Sequence, residues 1–266
     1  MIHGNPARPV GDQRGVALFV VLVMVLLTTL LVVWASRSAL LNEMITGTDS
    51  DYQRAFEAAQ AMVRDAELDI RGMRADGTPC GSEPVGSAFG NCRPPGKKRT
   101  DMDLANKKVY FPPPGDGLGV DSEFAYLQGL LKNQSPSCVA GVCIASGTTS
   151  PTAAQFWLDE TLWAKMKSSA ATFGQYTGAT ADDAGGDDNP LLKTKSPSDI
   201  KAWYWIEPLR YQGNGSDASL MFAPVGGSVE AAPVGVVYRI TAVAQGLKPQ
   251  TMAVIQTVFV RREYPG

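Results

Sequence analysis

Between Val16 and Ala35 only Thr28 and Thr29 interrupt the apolar run VALFVVLVMVLLTTLLVVWA. At about 1.5 Å of rise per residue these residues span roughly 30 Å as a helix, the thickness of a bilayer core. Arg8 and Arg14 precede the run, Asp12 offsets part of their charge, and Arg37 follows it. The positive-inside rule therefore favours a cytosolic N-terminus and an exported C-terminal body. Three readings are open: a signal peptide removed at Val33-Trp34-Ala35, an uncleaved signal anchor, or a segment that the protein puts to use. The run is longer than the roughly 7–15 apolar residues of a secretory signal.

Helical spacing continues beyond the run. Tyr52, Ala55, Phe56, Ala59, Met62, Val63, Ala66 and Ile70 step by three and four, with Asp51, Arg54, Glu57, Arg64, Asp65 and Glu67 between them. From Val16 to Arg71 there is no proline and Gly47 is the only glycine. The pattern predicts one long helix of roughly 84 Å, apolar in its first half and amphipathic in its second. Gly47, with Thr46, Thr48, Asp49 and Ser50 around it, marks a soft spot or kink.

The rest of the chain limits its chemistry. The one histidine is His3, ahead of the apolar run, so no imidazole is present in the body. Serine–histidine and cysteine–histidine nucleophile pairs and histidine-rich zinc sites are thereby excluded. The formal charge of -2 gives no bulk attraction to nucleic acid. Four cysteines suit two disulfides in an oxidising compartment. Of the three possible connectivities, the local one, Cys80–Cys92 with Cys138–Cys143, is favoured, and neither gap has zinc-ligand spacing.

Ser150-Pro151 has the form of a helix start, followed by Phe156, Trp157, Leu158, Leu162, Trp163 and Met166 as an apolar face. The acidic stretch with Asp182, Asp183, Asp187 and Asp188 lacks the alternating order of a calcium loop. Lys97-Lys98-Arg99 and Lys107-Lys108 form a small basic cluster, read as exposed loop. Ala202–Glu207, Val236–Val243 and Thr251–Arg261 read as strands, the last two joined as a hairpin through Gln245–Pro249. Ser198 and Lys201 match a serine–lysine pattern without its companion motifs, and Gly115, Gly117 and Gly119 follow prolines rather than a strand. No enzyme, cofactor or metal site is expected.

The opening layout resembles a type IV pilin: a leader ending in glycine, an apolar helix half, then an amphipathic half that packs on a sheet. More closely it resembles the minor pilins of the PilX type. That likeness rests on Asn42-Glu43-Met44, Gly47, the run Arg54-Ala55-Phe56-Glu57-Ala58-Ala59-Gln60-Ala61, and Arg64-Asp65-Ala66-Glu67. Trp203 to Leu209 and Tyr238-Arg239-Ile240-Thr241 are similar to the C-terminal part of the same family.

The resemblance implies an α+β pilin fold, with the long helix packed on a C-terminal antiparallel sheet and irregular disulfide-bearing insertions between. It implies cleavage by a prepilin peptidase between Gly15 and Val16, and N-methylation of Val16. Residues 1–15 would then be a leader, 16–35 a transmembrane and filament-core half, 36–71 an amphipathic half, 72–200 a looped region and 201–266 the sheet. It places the chain in the inner membrane as a single pass with a periplasmic body, and afterwards at a pilus tip or in the filament. The partners implied are other minor pilins, the major pilin, the prepilin peptidase, the inner-membrane assembly platform and a tip adhesin. The membrane is met through Val16–Ala35, and no direct nucleic-acid contact is expected.

One departure from the common pilin pattern matters. Most pilins carry glutamate at the fifth mature position, and here that position is Val20. The gap argues for a tip or priming subunit. The tip pseudopilin of type II secretion shares it and is the alternative within the class. A single-pass anchored periplasmic domain with no filament role is the alternative outside it.

Overall fold

The computed structural model describes residues 14–81, 92–94, 101–111, 118–145, 150–152, 155–181, 188–193, 196, 199–212 and 234–261. The chain divides into two compact units, Met1–Ser50 and Asp51–Gly266. Helix α1, Arg14–Arg71, contributes to both. In the first unit every described residue is helical, and the helical assignment continues through Gly47.

The second unit is a six-stranded sheet with helices on it. Its long strands are β4 (Ala202–Gln212), β5 (Val234–Gln245) and β6 (Met252–Val260), paired antiparallel in that order. Short strands β1 (Cys138–Val139), β2 (Val142–Cys143) and β3 (Ala171–Thr172) complete it. β3 meets β4 antiparallel, but β2 meets it parallel through Val142 opposite Ile206. The sheet is therefore mixed, where the sequence pointed to an antiparallel one. The parallel contact comes from a two-residue strand too short to carry a periodic signal. β4 also runs five residues past Glu207. Pro208 is tolerated because β5 alone pairs with that part of β4 among the described residues.

Side-chain alternation gives each face of the sheet its own core. Tyr204, Ile206, Tyr238, Ile240, Ala242, Ala244 and Ala253 join Ala55, Ala58, Ala59, Met62, Ala66 and Ile70 of α1 in one cluster. Trp203, Trp205 and Val243 point the other way, into a second cluster with Phe156, Trp163 and Met166. Phe156 lies edge-on to Trp205 at 5.0 Å, and Trp163 edge-on to Trp203 at 5.3 Å. The indole of Trp205 donates to the Met166 carbonyl at 3.1 Å, which satisfies the polar atom of a fully buried ring.

Among the described residues two α-helices lie between α1 and the long strands in sequence. α2, Leu118–Leu131, was not legible in the sequence; it buries Phe124, Leu127 and Leu131 in the first cluster. α3 is Glu160–Ser169, and Asp159 caps it by accepting from the Leu162 amide at 2.8 Å. The start expected at Ser150-Pro151 is instead a turn. The Ser150 hydroxyl accepts from the Thr152 amide at 3.2 Å, as a cap would, but it also donates to Glu207 at 2.6 Å and accepts from Arg239 at 2.5 Å, which ties the turn to the sheet instead. Leu158, expected on the apolar face, is 74% exposed.

A two-residue turn joins β1 to β2, with Ala140 at φ 56° and Gly141 at φ 78°. Both central residues need positive φ in such a hairpin. At Gly141 space is also short: a Cβ would come within 2.6 Å of the Ala171 Cβ.

Candidate assembly segment and its buried anchor

Residues 16–50 form a helix with no core around it. Val16 is 68% exposed, Val20 48% and Trp34 70%, and the most apolar window is nowhere buried within the chain. Burying one such side chain is worth roughly 1.5–3 kcal/mol, so a helix apolar on all sides needs lipid or other helices around it. It is long and apolar enough to cross a membrane. The two polar side chains of the run are self-satisfied. Thr28 donates to the Val25 carbonyl and Thr29 to the Leu26 carbonyl, each at 2.9 Å. Gly15 and Val16 lie in the first turn of α1. No acidic side chain occurs between Val16 and Glu43.

In the second unit the expected helix face does meet the sheet at Ala55, Ala59, Met62, Ala66 and Ile70, but its two aromatic members do not. Tyr52 and Phe56 are 49% and 40% exposed and stack on each other with centroids 6.5 Å apart. A second buried seam on that face runs Asp51, Ala55, Ala58, Met62, Asp65 and Asp69, steps of four and three throughout. Three of its six members are carboxylates, and each holds a different piece of the body.

Asp51 holds the β5–β6 hairpin. It accepts from the backbone amides of Leu247 at 2.9 Å and Lys248 at 3.0 Å, with Arg54 3.8 Å away. Burial pushes its pKa up, but those amides, the Thr251 hydroxyl and Arg54 outweigh it, and the net shift is downward. Asp65 holds the loop after β3, accepting from the Gly174 amide at 2.8 Å and from the Thr177 hydroxyl. Here burial wins: the pKa is raised to about 6, with Asp69 one turn away adding to the rise.

Asp69 is the centre of the third contact. The Tyr204 hydroxyl donates to it at 2.9 Å, and the Arg93 guanidinium lies 3.3 Å away. Arg93 also donates to the Ala140 carbonyl and stacks over the Tyr176 ring at 3.5 Å. Burial works against its charge, but Asp69 and the two tyrosines more than compensate, so its pKa is raised and it stays a cation. One guanidinium thus ties α1, the β1–β2 turn and the loop after β3 together. It follows Cys92, which is bonded to Cys80 beyond the end of α1. The Cys80 amide in turn donates to the Gly72 carbonyl at 2.8 Å. The second disulfide joins Cys138 to Cys143, a directly opposed pair of β1 and β2.

Several residues singled out in the sequence lie outside the described ones: the leader residues His3, Arg8 and Asp12, Lys97-Lys98-Arg99, Gly115 and Gly117, Asp182, Asp183 and Asp187, and Ser198. Gly119 falls within α2. Among the described residues there is no cluster of histidine, cysteine or acidic side chains able to hold a metal. Arg93, Tyr204 and the seam carboxylates were not anticipated as a group. The four–three spacing that Asp51, Asp65 and Asp69 share with Ala55, Ala58 and Met62 was the signal that could have revealed the carboxylates.

A long helix with an apolar, uncovered first part, and a second part packed on a sheet with disulfide-bearing insertions, defines a pilin-type protein. Two family models agree. Residues 14–64 match the PilX N-terminal model, and residues 139–261 match the C-terminal model of the type IV pilus assembly protein PilX. Together they cover well over half of the chain. The chain belongs to the PilX family, a structural family of minor pilins of the type IV pilus. No curated protein and no solved structure matches it.

Proposed function

We propose that this minor pilin acts at the tip of the filament, in the complex that primes assembly. A prepilin peptidase cuts between Gly15 and Val16, and Val16 becomes the N-methylated terminus. Before assembly the chain is a single-pass inner-membrane protein, with residues 16–35 in the bilayer and its body in the periplasm. The assembly platform then draws that helix out of lipid and into the filament core, beside other minor pilins and the major pilin. A tip adhesin is a further partner of the exposed body. The filament so primed serves twitching, adhesion or DNA uptake.

The observation that carries this reading is Val20. A terminal ammonium in an apolar core costs several kcal/mol unless a carboxylate meets it. With no acidic side chain between Val16 and Glu43, this subunit has none to offer a neighbour at that depth. A subunit that receives no neighbour above it has no need of one. Quantifying the chain against the repeating pilin in sheared filaments, with gold labelling, tests the reading. Labels at filament ends and loss of surface pili on gene deletion are expected. Labels along the whole length, or normal piliation in a deletion strain with no second copy, contradict it.

A further inference from the structure

Between the turn at residues 103–110 and the loop at 174–176 lies a cavity of about 230 Å³. Arg93 and Tyr176, stacked on each other, line it with Val109 and Tyr110, and Asn106, Lys107 and Lys108 are exposed at its edge. All the charged residues lining it are cationic. Among the described residues neither lysine is within ion-pair distance of a carboxylate, and Lys108 is attracted to Asp103 across the turn. A carboxylate entering there would meet two ammonium groups, against a guanidinium already held in place by Asp69 and the Ala140 carbonyl.

The turn itself does not call for lysine. It is closed by reciprocal backbone bonds between Asp103 and Lys108 at 2.9 and 2.8 Å, and the Asp103 carboxylate accepts from the Ala105 amide and the Asn106 side chain. Lys107 sits at φ 56°, a left-handed conformation that costs a side-chain-bearing residue on the order of 1 kcal/mol. Glycine or asparagine would fill the position with less strain.

We propose that this cavity receives a single carboxylate, the acidic side chain of a partner polypeptide. A nucleic acid fits the surroundings less well. The whole chain carries a formal charge of -2, and a phosphate backbone needs an extended basic track rather than one small cavity. This assignment is independent of how the N-terminus is processed.

The test is an amide chemical-shift titration of the full chain in detergent with a capped glutamate, acetyl-glutamate amide. Acetyl-glutamine amide is the neutral control, and a short single-stranded oligonucleotide is the competing polyanion. Saturable shifts at residues 106–110 and 175–176 with the glutamate alone are expected. Lys107→Gln with Lys108→Gln weakens binding about tenfold through lost charge-assisted hydrogen bonds. Lys107→Gly relieves the backbone and so keeps or raises the unfolding temperature, yet still weakens binding. Equal shifts with the glutamine, undiminished binding in the lysine variants, no saturable shift, or displacement of the glutamate by the oligonucleotide would each overturn the assignment.

Discussion

The guanidinium of Arg93 lies 3.3 Å from the carboxylate of Asp69, with the two side chains only 4% and 0% exposed. Removing one member of such a pair leaves the other charged and out of water, at a cost of about 3–5 kcal/mol. Arg93→Ala therefore destabilises the body strongly. Arg93→Met combined with Asp69→Leu leaves no orphan charge and recovers much of the loss. Denaturant unfolding of the full chain in detergent checks both variants. Equal losses in the single and double variants would show that the pair is not coupled.

Asp65 links the same helix to pH. Its folded pKa, about 6, lies above the ordinary aspartate value of 3.8. The folded state thus binds a proton more tightly than the unfolded one. The contribution is fully present below pH 3.8 and is lost as pH rises through about 6. Over that window the loss is on the order of 3 kcal/mol. Unfolding midpoints measured across it should fall with rising pH in the native chain and flatten in Asp65→Asn. Identical slopes in the two proteins would contradict the shift.

Gly246 lets α1 and the β5–β6 hairpin meet. A Cβ there would run into the Asp51 carboxylate and come within 2.7 Å of the Thr251 Cβ. Gly246→Ala should cost about 1–3 kcal/mol, as overpacking does. It should also speed amide exchange at Leu247 and Lys248, whose N–H groups Asp51 accepts. Unchanged exchange at those two amides would show that the hairpin tip does not depend on Asp51.

Cys80 and Cys92 enclose a short loop whose far end delivers Arg93 to the core. Replacing both by alanine should cost about 2–4 kcal/mol, the usual worth of a disulfide. In combination with Arg93→Ala the effects should fall short of additive, because the two share one task. Full additivity in a double-mutant cycle would separate the disulfide from the guanidinium.

What the sequence displayed, it displayed through composition and period. The run from Val16 needed no spacing argument, and the strands around Trp203, Val243 and Ile255 stood out by their aromatic and β-branched residues. The helix face was harder. Tyr52 and Phe56 are apolar and were placed inward, yet both are on the surface, while Asp51, Asp65 and Asp69 are inside. Polarity misled where spacing did not, because a buried carboxylate is stabilised by partners more than a hundred residues away in sequence, such as Thr177 and Leu247. Ser150 failed as a helix start for the same reason: Glu207 and Arg239, on strands far along the chain, compete for its hydroxyl. α2 carried too weak a contrast between its faces to stand out among the glycines and prolines before it.

The central claim is that the apolar helix is a working part, exposed by processing and kept. The most direct test is the N-terminal sequence and intact mass of the chain from membranes, with and without the prepilin peptidase. The account predicts a chain that begins at methylated Val16 only when that enzyme is present. A chain that keeps residues 1–15 in its presence, or that begins at Ser36, would contradict it.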